Sequence, residues 1–315
     1  MKRLIILLIP FIFIFASCSE RAERKSLSIL AYNMYLMFDD VSDGDEYYPF
    51  TRSGGYGEDE YRKRIALYQD FLLSDDALSD IYILSEVESE KVLLDLMSGK
   101  MSRKGFKYYG ILDNNSPISV GFISKIPIYD VKVHSNKGPR DIIEIDFIFN
   151  GSFVSLFALH AKSRVGGGEE ERMSTFEHLS FLMRGCHPSL AIAAGDFNED
   201  PRTGPYFIDA LADPDAPLTV SGDDHCLSPG IFYCPSLDED QDAYGTYYYE
   251  GRWYSYDNIL LSLAAFDSSE LEHLHSTIVY PPDGVDSSGV PVRYDINTNS
   301  GYSDHLAVKT TLGYY

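Results

Sequence analysis

The chain has 315 residues, and its 26 Lys and Arg residues against 48 Asp and Glu residues give a formal net charge of −22. A hydrophobic fraction of 44% and a charged fraction of 23% exclude a disordered or collagen-like chain. The acidic balance argues against a protein that holds nucleic acid through a broad basic surface, because counterion release requires lysine and arginine. A site in which acidic residues hold a metal ion, and the ion binds a phosphate, remains compatible with this charge.

The first residues have the pattern of an export signal. Lys2 and Arg3 precede an apolar run from Leu4 to Ala16, and Ser17 and Cys18 follow. The run is too short for a membrane-spanning helix, which needs about 20 residues. This segment resembles a bacterial lipoprotein signal, which implies cleavage before Cys18 and attachment of lipid to its thiol. An ordinary secretory signal with an incidental cysteine is the alternative.

The predicted organisation is therefore a signal peptide over residues 1–17, a lipidated tether over 18–26 and one domain over 27–315. We expect an exported, membrane-anchored lipoprotein on the periplasmic side or the cell surface. We also expect a monomer whose contact with the membrane is made through its N-terminal lipid.

Hydrophobic periodicity predicts short strands that alternate with helices, without internal repeats. The predicted strands are 27–32, 81–84, 106–112, 119–124, 128–133, 141–149, 153–159, 190–194, 256–261 and 305–311. The predicted helices are 58–73, 89–97 and 169–183. This mixture of hairpins and crossovers indicates an α/β protein with two sheets that share one core.

Three cysteines follow the signal: Cys186, Cys226 and Cys234. None has the C-x-x-C spacing of a zinc or thioredoxin-like site. Cys226 and Cys234 flank a short loop and could form a disulfide in an exported protein. Three unpaired thiols are the alternative.

Polar residues stand where several predicted strands end or begin. Strand 190–194 leads into Gly-Asp196-Phe-Asn198, in which the carboxylate and the amide occupy alternate positions and so point to the same side. Such a pair can hold and orient a water molecule beside a phosphate. Comparable positions in other strands are taken by Asn33, Glu86, His160 and Asp304-His305.

These blocks, in this order, resemble the metal-dependent endonuclease/exonuclease/phosphatase superfamily. It includes pancreatic deoxyribonuclease, abasic-site endonucleases, neutral sphingomyelinases and inositol-polyphosphate phosphatases. Each block alone is a weak signal, but six in order from Leu27 to Thr311 are specific. The resemblance implies a four-layered α/β sandwich with two packed mixed β-sheets flanked by helices. It also implies Mg²⁺, with Mn²⁺ as an alternative, and a phosphodiester substrate.

The resemblance places three residues on the metal-binding side of the site. Asn33 in AYNMYL corresponds to an asparagine near the metal and the scissile phosphate, and Glu86 in ILSEVES to the magnesium ligand. Ser85 replaces the glutamine that usually precedes this glutamate. Asp304 in SDH corresponds to a second metal-side acid.

The resemblance assigns catalytic roles to five further residues. His160 in ALHAKS corresponds to a phosphate-contacting histidine. Asp196 and Asn198 in GDFN correspond to the acid that activates water and the amide that orients it. Asp257 in YDNILLS corresponds to the partner of His305, whose imidazole stabilises the transition state.

Two further segments have less specific patterns. Tyr247-Tyr248-Tyr249 is predicted to form a strand packed near the site, with base stacking as an alternative role. The acidic run at 238–242 is interpreted as a solvated loop, with a calcium site as an alternative.

The predicted function is magnesium-dependent, nuclease-like phosphodiester hydrolysis of nucleic acid or a phospholipid headgroup. Local bases near Arg140, Lys162 and Arg164 would carry the phosphate contacts. Sphingomyelinase-type and inositol- or sugar-phosphatase activity are the alternatives within the same fold. A binding lipoprotein without activity is a third interpretation, but it predicts losses among the metal and base positions, which are all present.

Overall fold

The computed structural model describes residues 26–112, 116–135, 140–204, 207–209, 217–238, 245–267 and 271–314. The predicted signal, Cys18 and residues 239–242 of the acidic run lie outside the described residues. Within the described part of the chain, no helix has the length and apolar character needed to cross a membrane.

The described residues form sixteen strands and four α-helices. The strands are β1 (Ser26–Met37), β2 (Ile81–Val87), β3 (Tyr108–Ile111), β4 (Ser119–Ser124), β5 (Ile128–His134), β6 (Ile142–Phe149), β7 (Ser152–His160), β8 (Leu190–Asp196), β9 (Phe207–Asp209), β10 (Leu218–Ser221), β11 (Phe232–Tyr233), β12 (Tyr247–Tyr249), β13 (Arg252–Tyr254), β14 (Asp257–Leu261), β15 (Glu272–Val279) and β16 (Ala307–Gly313). The helices are α1 (Glu58–Leu72), α2 (Glu90–Met97), α3 (Lys100–Arg103) and α4 (Glu169–Gly185).

Two large mixed sheets contain fourteen of these strands. The first has the order β15-β16-β1-β2-β4-β3, and the second has the order β5-β6-β7-β8-β14-β11-β10-β9. Strands β12 and β13 form a separate hairpin. At the centre of the first sheet β1 and β2 run parallel, and at the centre of the second β7 and β8 run parallel.

The sheets pack face to face because alternate side chains of each strand point to opposite faces. Ile29 and Ala31 of β1 belong to the core shared by the two sheets, which also contains Leu156 of β7 and Ile192 of β8. This core lies between the two sheets, in the middle of the sandwich.

Helices cover the two outer faces. Leu30 and Tyr32 of β1 point away from the shared core and pack with residues of α1 and α2, including Tyr68. On the far side, Phe157 of β7 packs with Phe176 of α4. The prediction of a four-layered sandwich with two mixed sheets flanked by helices is confirmed.

The predicted elements correspond to observed ones with shifts of a few residues at their ends. Strands β9 to β11, β13 and β15 were not predicted. Most of these strands are only two to four residues long, which is too short to show a hydrophobic period. Strand β15 is longer, but it is partly exposed and its sequence mixes polar and apolar residues without a clear period.

Cys226 and Cys234 do not form a disulfide with each other. Cys234 is buried, and its Sγ lies 3.2 Å from the hydroxyl of Ser236. The Sγ of Cys226 lies 3.7 Å from the carboxylate of Asp223 instead. The alternative of three thiols therefore describes the structure.

Candidate active site

The polar residues selected from the sequence converge on one pocket at the edge of both sheets. The carboxyl ends of the parallel strands β1 and β2 meet there, as do those of β7 and β8. The antiparallel strands β14 and β16 begin at the same edge. The pocket has a volume of about 810 Å³. Its lining includes Glu86, His160, Asp196, Asn198, Asp304 and His305.

Asn33 joins the two sheets at this edge. Its side-chain Nδ2 donates to Glu86 Oε1 at 3.2 Å and to Asp196 Oδ2 at 3.0 Å. Its Oδ1 accepts a hydrogen bond from the Tyr35 amide at 2.9 Å. Asn33 is buried and thus holds two carboxylates from different sheets at fixed positions.

The GDFN motif forms a tight turn after β8. Gly195 has φ 144°, and a Cβ there would lie 1.9 Å from the Leu159 carbonyl oxygen, so only glycine fits between the strands. Asp196 Oδ1 accepts from the Asn198 amide at 2.8 Å, and Asn198 has φ 51°, which asparagine tolerates. Both side chains line the pocket, as predicted. The predicted reason, alternation along one strand, is wrong, because β8 ends at Asp196 and the turn places Asn198.

The Asp196 carboxyl is almost completely buried. Burial raises its pKa, and the neighbouring Asp257 carboxylate adds to that shift, while His305 opposes it. A carboxylate with a raised pKa is a better proton acceptor than one free in water, which suits a general base.

His305 and Asp257 form a buried pair. His305 Nδ1 lies 2.7 Å from Asp257 Oδ2, so the imidazole Nε2 is the nitrogen available to the pocket. Burial alone would lower the pKa of His305, but the carboxylates of Asp257 and Asp196 raise it well above its usual value. The pair therefore favours an imidazolium, as the sequence predicts for these two residues.

His160 of β7 lies beside Asp196. Its Nε2 lies 3.7 Å from Asp196 Oδ2, and the two residues are direct neighbours in the register of β7 and β8. Burial lowers the pKa of His160 well below its usual value, and Arg140 adds to the shift. The site thus contains one charged and one neutral imidazole.

Glu86 and Asp304 supply the acidic side of the pocket. Glu86 has φ 59°, and its Oε2 accepts from the Leu36 amide at 2.7 Å. Burial raises the pKa of the Glu86 carboxyl, His305 partly offsets this effect, and Asp304 adds to it. Both carboxylates face the pocket and are hard oxygen donors, the ligand type that divalent cations prefer.

Arg64 of α1 was not predicted as a site residue. It is completely buried and donates from Nη1 to the Leu36 carbonyl at 2.9 Å and from Nη2 to the carbonyls of Met34 and Tyr35. Its guanidinium also lies 4.4 Å from the centre of the Tyr294 ring. The signal in the sequence was a charged residue on the apolar stripe of an amphipathic helix.

Arg64 positions the backbone that contacts Glu86. Tyr35 and Leu36 both have positive φ, at 47° and 50°, which costs energy for residues with a Cβ. The three carbonyls bound by Arg64 belong to this segment, whose Leu36 amide holds Glu86. A buried arginine on one helix thus supports the conformation of a pocket carboxylate.

Basic and aromatic side chains form the remaining wall. Arg140, Lys162 and Arg164, predicted as local bases, all line the pocket. Six tyrosines line it as well: Tyr35, Tyr47, Tyr247, Tyr249, Tyr254 and Tyr256. The strand predicted at Tyr247–Tyr249 is confirmed, and it lies beside the site.

Comparison with known proteins agrees with this geometry. A model of the endonuclease/exonuclease/phosphatase family matches residues 28–312. No curated protein gave a significant match in sequence.

Solved structures share the fold at low sequence identity. A D. rerio TDP2 complexed with single-strand DNA product has 15% identity and a TM-score of 0.59, with 92% of this chain and 100% of that chain covered. A family protein from Bacteroides thetaiotaomicron has 16% identity and a TM-score of 0.58, with 92% and 98% covered. The beta toxin of Staphylococcus aureus has 17% identity and a TM-score of 0.55, with 90% and 99% covered.

Proposed function

This chain belongs to the endonuclease/exonuclease/phosphatase family, whose members are metal-dependent phosphoester hydrolases, and we propose that it hydrolyses phosphodiester bonds with Mg²⁺ in a nuclease-like reaction. One observation carries the proposal. The buried Asp196 carboxylate is held by Asn33 and by the Asn198 amide at the edge of a pocket that also contains the His305–Asp257 pair.

Asp196 acts as the general base. Its raised pKa and its position on the pocket wall allow it to accept a proton from an attacking water. The Asn198 side chain donates to the Ala161 carbonyl at 3.1 Å, and this bond fixes the amide whose remaining polar atoms orient that water. The base and the orienting group lie on one turn, so their relative position is set by local backbone geometry.

His305 stabilises negative charge on the phosphate. Held through Nδ1 by Asp257, it presents Nε2–H to a non-bridging oxygen as charge develops in the transition state. His160, which is neutral, donates a second hydrogen bond to the phosphate. Arg140 adds a positive charge in the same pocket.

Glu86 and Asp304 would hold the cation. When bound, Mg²⁺ supplies positive charge that offsets the developing charge on the phosphate. Asn33 keeps Glu86 and Asp196 apart by donating to both, so that the acid that would hold the ion and the acid that accepts a proton keep separate tasks.

Local charge favours a nucleic-acid phosphodiester in spite of the net charge of −22. Ionic screening at physiological salt reduces repulsion beyond about 8 Å. Arg140 and Lys162 line the pocket that would hold the phosphate, and Arg164, which also lines it, pairs with Glu199 at 3.1 Å. The single-strand DNA product bound to one structural neighbour gives independent support for this substrate class.

A substrate panel tests the proposal. Residues 26–315 would be assayed with magnesium on DNA, RNA, sphingomyelin vesicles and inositol phosphates. We expect hydrolysis of a nucleic acid that is lost on chelation and weakens as salt rises. Activity confined to the lipid or to a phosphate monoester would contradict the nuclease assignment, and would favour the sphingomyelinase-type or phosphatase alternative.

We further propose that the enzyme is exported as a monomer and anchored by lipid on Cys18. The support is the sequence pattern from Lys2 to Cys18. The full chain should partition into detergent and incorporate labelled fatty acid, and Cys18→Ser should abolish both. Unchanged partitioning of an unlabelled Cys18→Ser protein would contradict lipidation.

A further inference from the structure

The hairpin of β12 and β13 presents a row of tyrosines to the pocket. Its turn residues Glu250 and Gly251 have φ 48° and 82°, the positive values that a tight two-residue hairpin turn requires. Alternation along the strands places Tyr247, Tyr249 and Tyr254 on the pocket side. Each of these rings reaches the same cavity as the catalytic groups.

Four rings form a stacked series, which we name the tyrosine ladder: Tyr249, Tyr247, Tyr256 and Tyr254. Centroids of successive rings are 6.4, 5.3 and 5.3 Å apart, and successive planes differ by 18°, 21° and 27°. The rings are therefore close to parallel. The ladder ends at Tyr249, which is 54% exposed.

The ladder is continuous with the catalytic centre. The Tyr247 ring centroid lies 4.8 Å from that of His305, and the two residues also form a backbone bridge. A phosphate bound at His305 would thus have its neighbouring substituent beside the ladder. The substituent that matches a row of parallel rings is a flat aromatic group.

We infer that the tyrosine ladder is a stacking subsite for an unpaired nucleobase attached to the phosphodiester that is cleaved. The inference rests on the proposed phosphodiesterase activity for its position beside the scissile phosphate. Bases in a duplex are already stacked on each other, so a protein ring can replace that contact only for an unpaired base.

The same observations disfavour a choline headgroup. A quaternary ammonium group is recognised by aromatic rings that surround it with their faces. The ladder rings instead lie nearly parallel, so they do not surround a cation in this way. Arg140 and Lys162 in the same pocket attract the phosphates of a nucleotide.

The test compares two probes of equal charge in the Asp196→Ala background with magnesium, so that the probe is not cleaved. One probe is a fluorescent thymidine 8-mer, and the other is an 8-mer of abasic tetrahydrofuran units. We expect the thymidine probe to bind at least about fivefold more tightly, in keeping with the lower range for base–aromatic stacking. Tyr249→Leu should remove that preference, and Tyr249→Phe should restore it.

Tyr248→Leu is the matched control. Tyr248 lies on the same strand, packs against Trp253 with centroids 5.2 Å apart and does not line the pocket. It should keep the preference for the thymidine probe. Equal affinity for both probes, no binding of either, or an equal loss in Tyr248→Leu and Tyr249→Leu would overturn the inference.

Competition by a thymidine 5′-phosphate methyl ester distinguishes the two sources of the base. If the methyl ester displaces the fluorescent probe at the same nucleotide concentration as an unlabelled 8-mer, the ligand is a small nucleotide diester. If only the 8-mer displaces the probe, the ligand is a strand. Both outcomes support the ladder. Hydrolysis by the unmodified enzyme is measured separately. If it fails while the preference persists, the proposed function is wrong and the ladder stands. If hydrolysis occurs but the thymidine probe is not preferred, the proposed function stands and the inference about the ladder is wrong.

Discussion

The side-chain amide of Asn33 donates a 3.0 Å hydrogen bond to Asp196, which lies 163 residues further along the chain. Asn33 lies in β1 of one sheet and Asp196 ends β8 of the other, and the same amide also binds Glu86. The pocket therefore depends on how the two sheets are packed, and this one side chain links its metal-side acid to its general base.

Replacing Asn33 should impair catalysis more than folding. Asn33→Ala leaves the carboxylates of Glu86 and Asp196 without their shared donor, and we expect kcat/KM to fall by about 10- to 100-fold, the range for residues that orient metal ligands. Asn297→Ala, at an exposed asparagine that does not line the pocket, should leave kcat/KM unchanged. Full activity in Asn33→Ala would contradict the bridging role.

Asp257 should act chiefly through His305. We expect His305→Ala to lower kcat at least about 100-fold and Asp257→Asn to lower it substantially, because the pair maintains the charged imidazole. The double variant should be no slower than His305→Ala alone, since coupled residues are not additive. Losses that multiply in the double variant would show that Asp257 has an independent role.

Much of this site could be predicted because its residues follow recognisable local patterns. Asp196 and Asn198 stand at the end of an apolar strand and Asp304-His305 at the start of one, and the order of these blocks resembles the family, so the residues could be selected from the sequence. Arg64 could not be predicted in the same way. Its partners are backbone carbonyls and ring faces of distant segments, which depend on tertiary packing and leave no pattern of side-chain types.

The fold shows the same division. Strands such as β7 and β8 were predicted because they are largely apolar and almost entirely buried. The hairpin β12–β13 has tyrosines at successive positions, so polar and apolar residues do not alternate there. Its strand identity was predicted for β12 alone, and the ladder could be recognised only when Tyr256 was placed against Tyr247.

Arg64 should contribute to both stability and metal affinity. Arg64→Met leaves three backbone carbonyls of the strained 34–36 segment without a donor, and each buried unsatisfied group costs about 1–3 kcal/mol. We expect a clearly lower Tm and a higher magnesium concentration for half-maximal activity. Arg62→Met, at an exposed position on the same helix, should change neither. A wild-type magnesium requirement in Arg64→Met would contradict the positioning role.

His273 should make stability depend on pH. Burial, with a smaller contribution from His275, lowers the pKa of His273 to about 4, and its ring packs against those of Tyr233 and Phe266. The unfolded chain, with a pKa near 6.5, then binds more protons between about pH 4 and 6.5, so stability falls as pH decreases through that window. His273→Gln should lose less Tm between pH 7.5 and 5 than the unmodified protein. An identical loss in both would refute this contribution.

Substitution of Asp196 is the most direct test of the proposed mechanism. The measurement is kcat/KM of Asp196→Ala on the best phosphodiester substrate with saturating magnesium, beside Asp130→Ala, which removes an exposed carboxylate outside the pocket. The account predicts a fall of at least about 100-fold for Asp196→Ala with a folded protein, and wild-type activity for Asp130→Ala. Near-normal turnover by a folded Asp196→Ala protein would contradict the assignment of the general base and of the site.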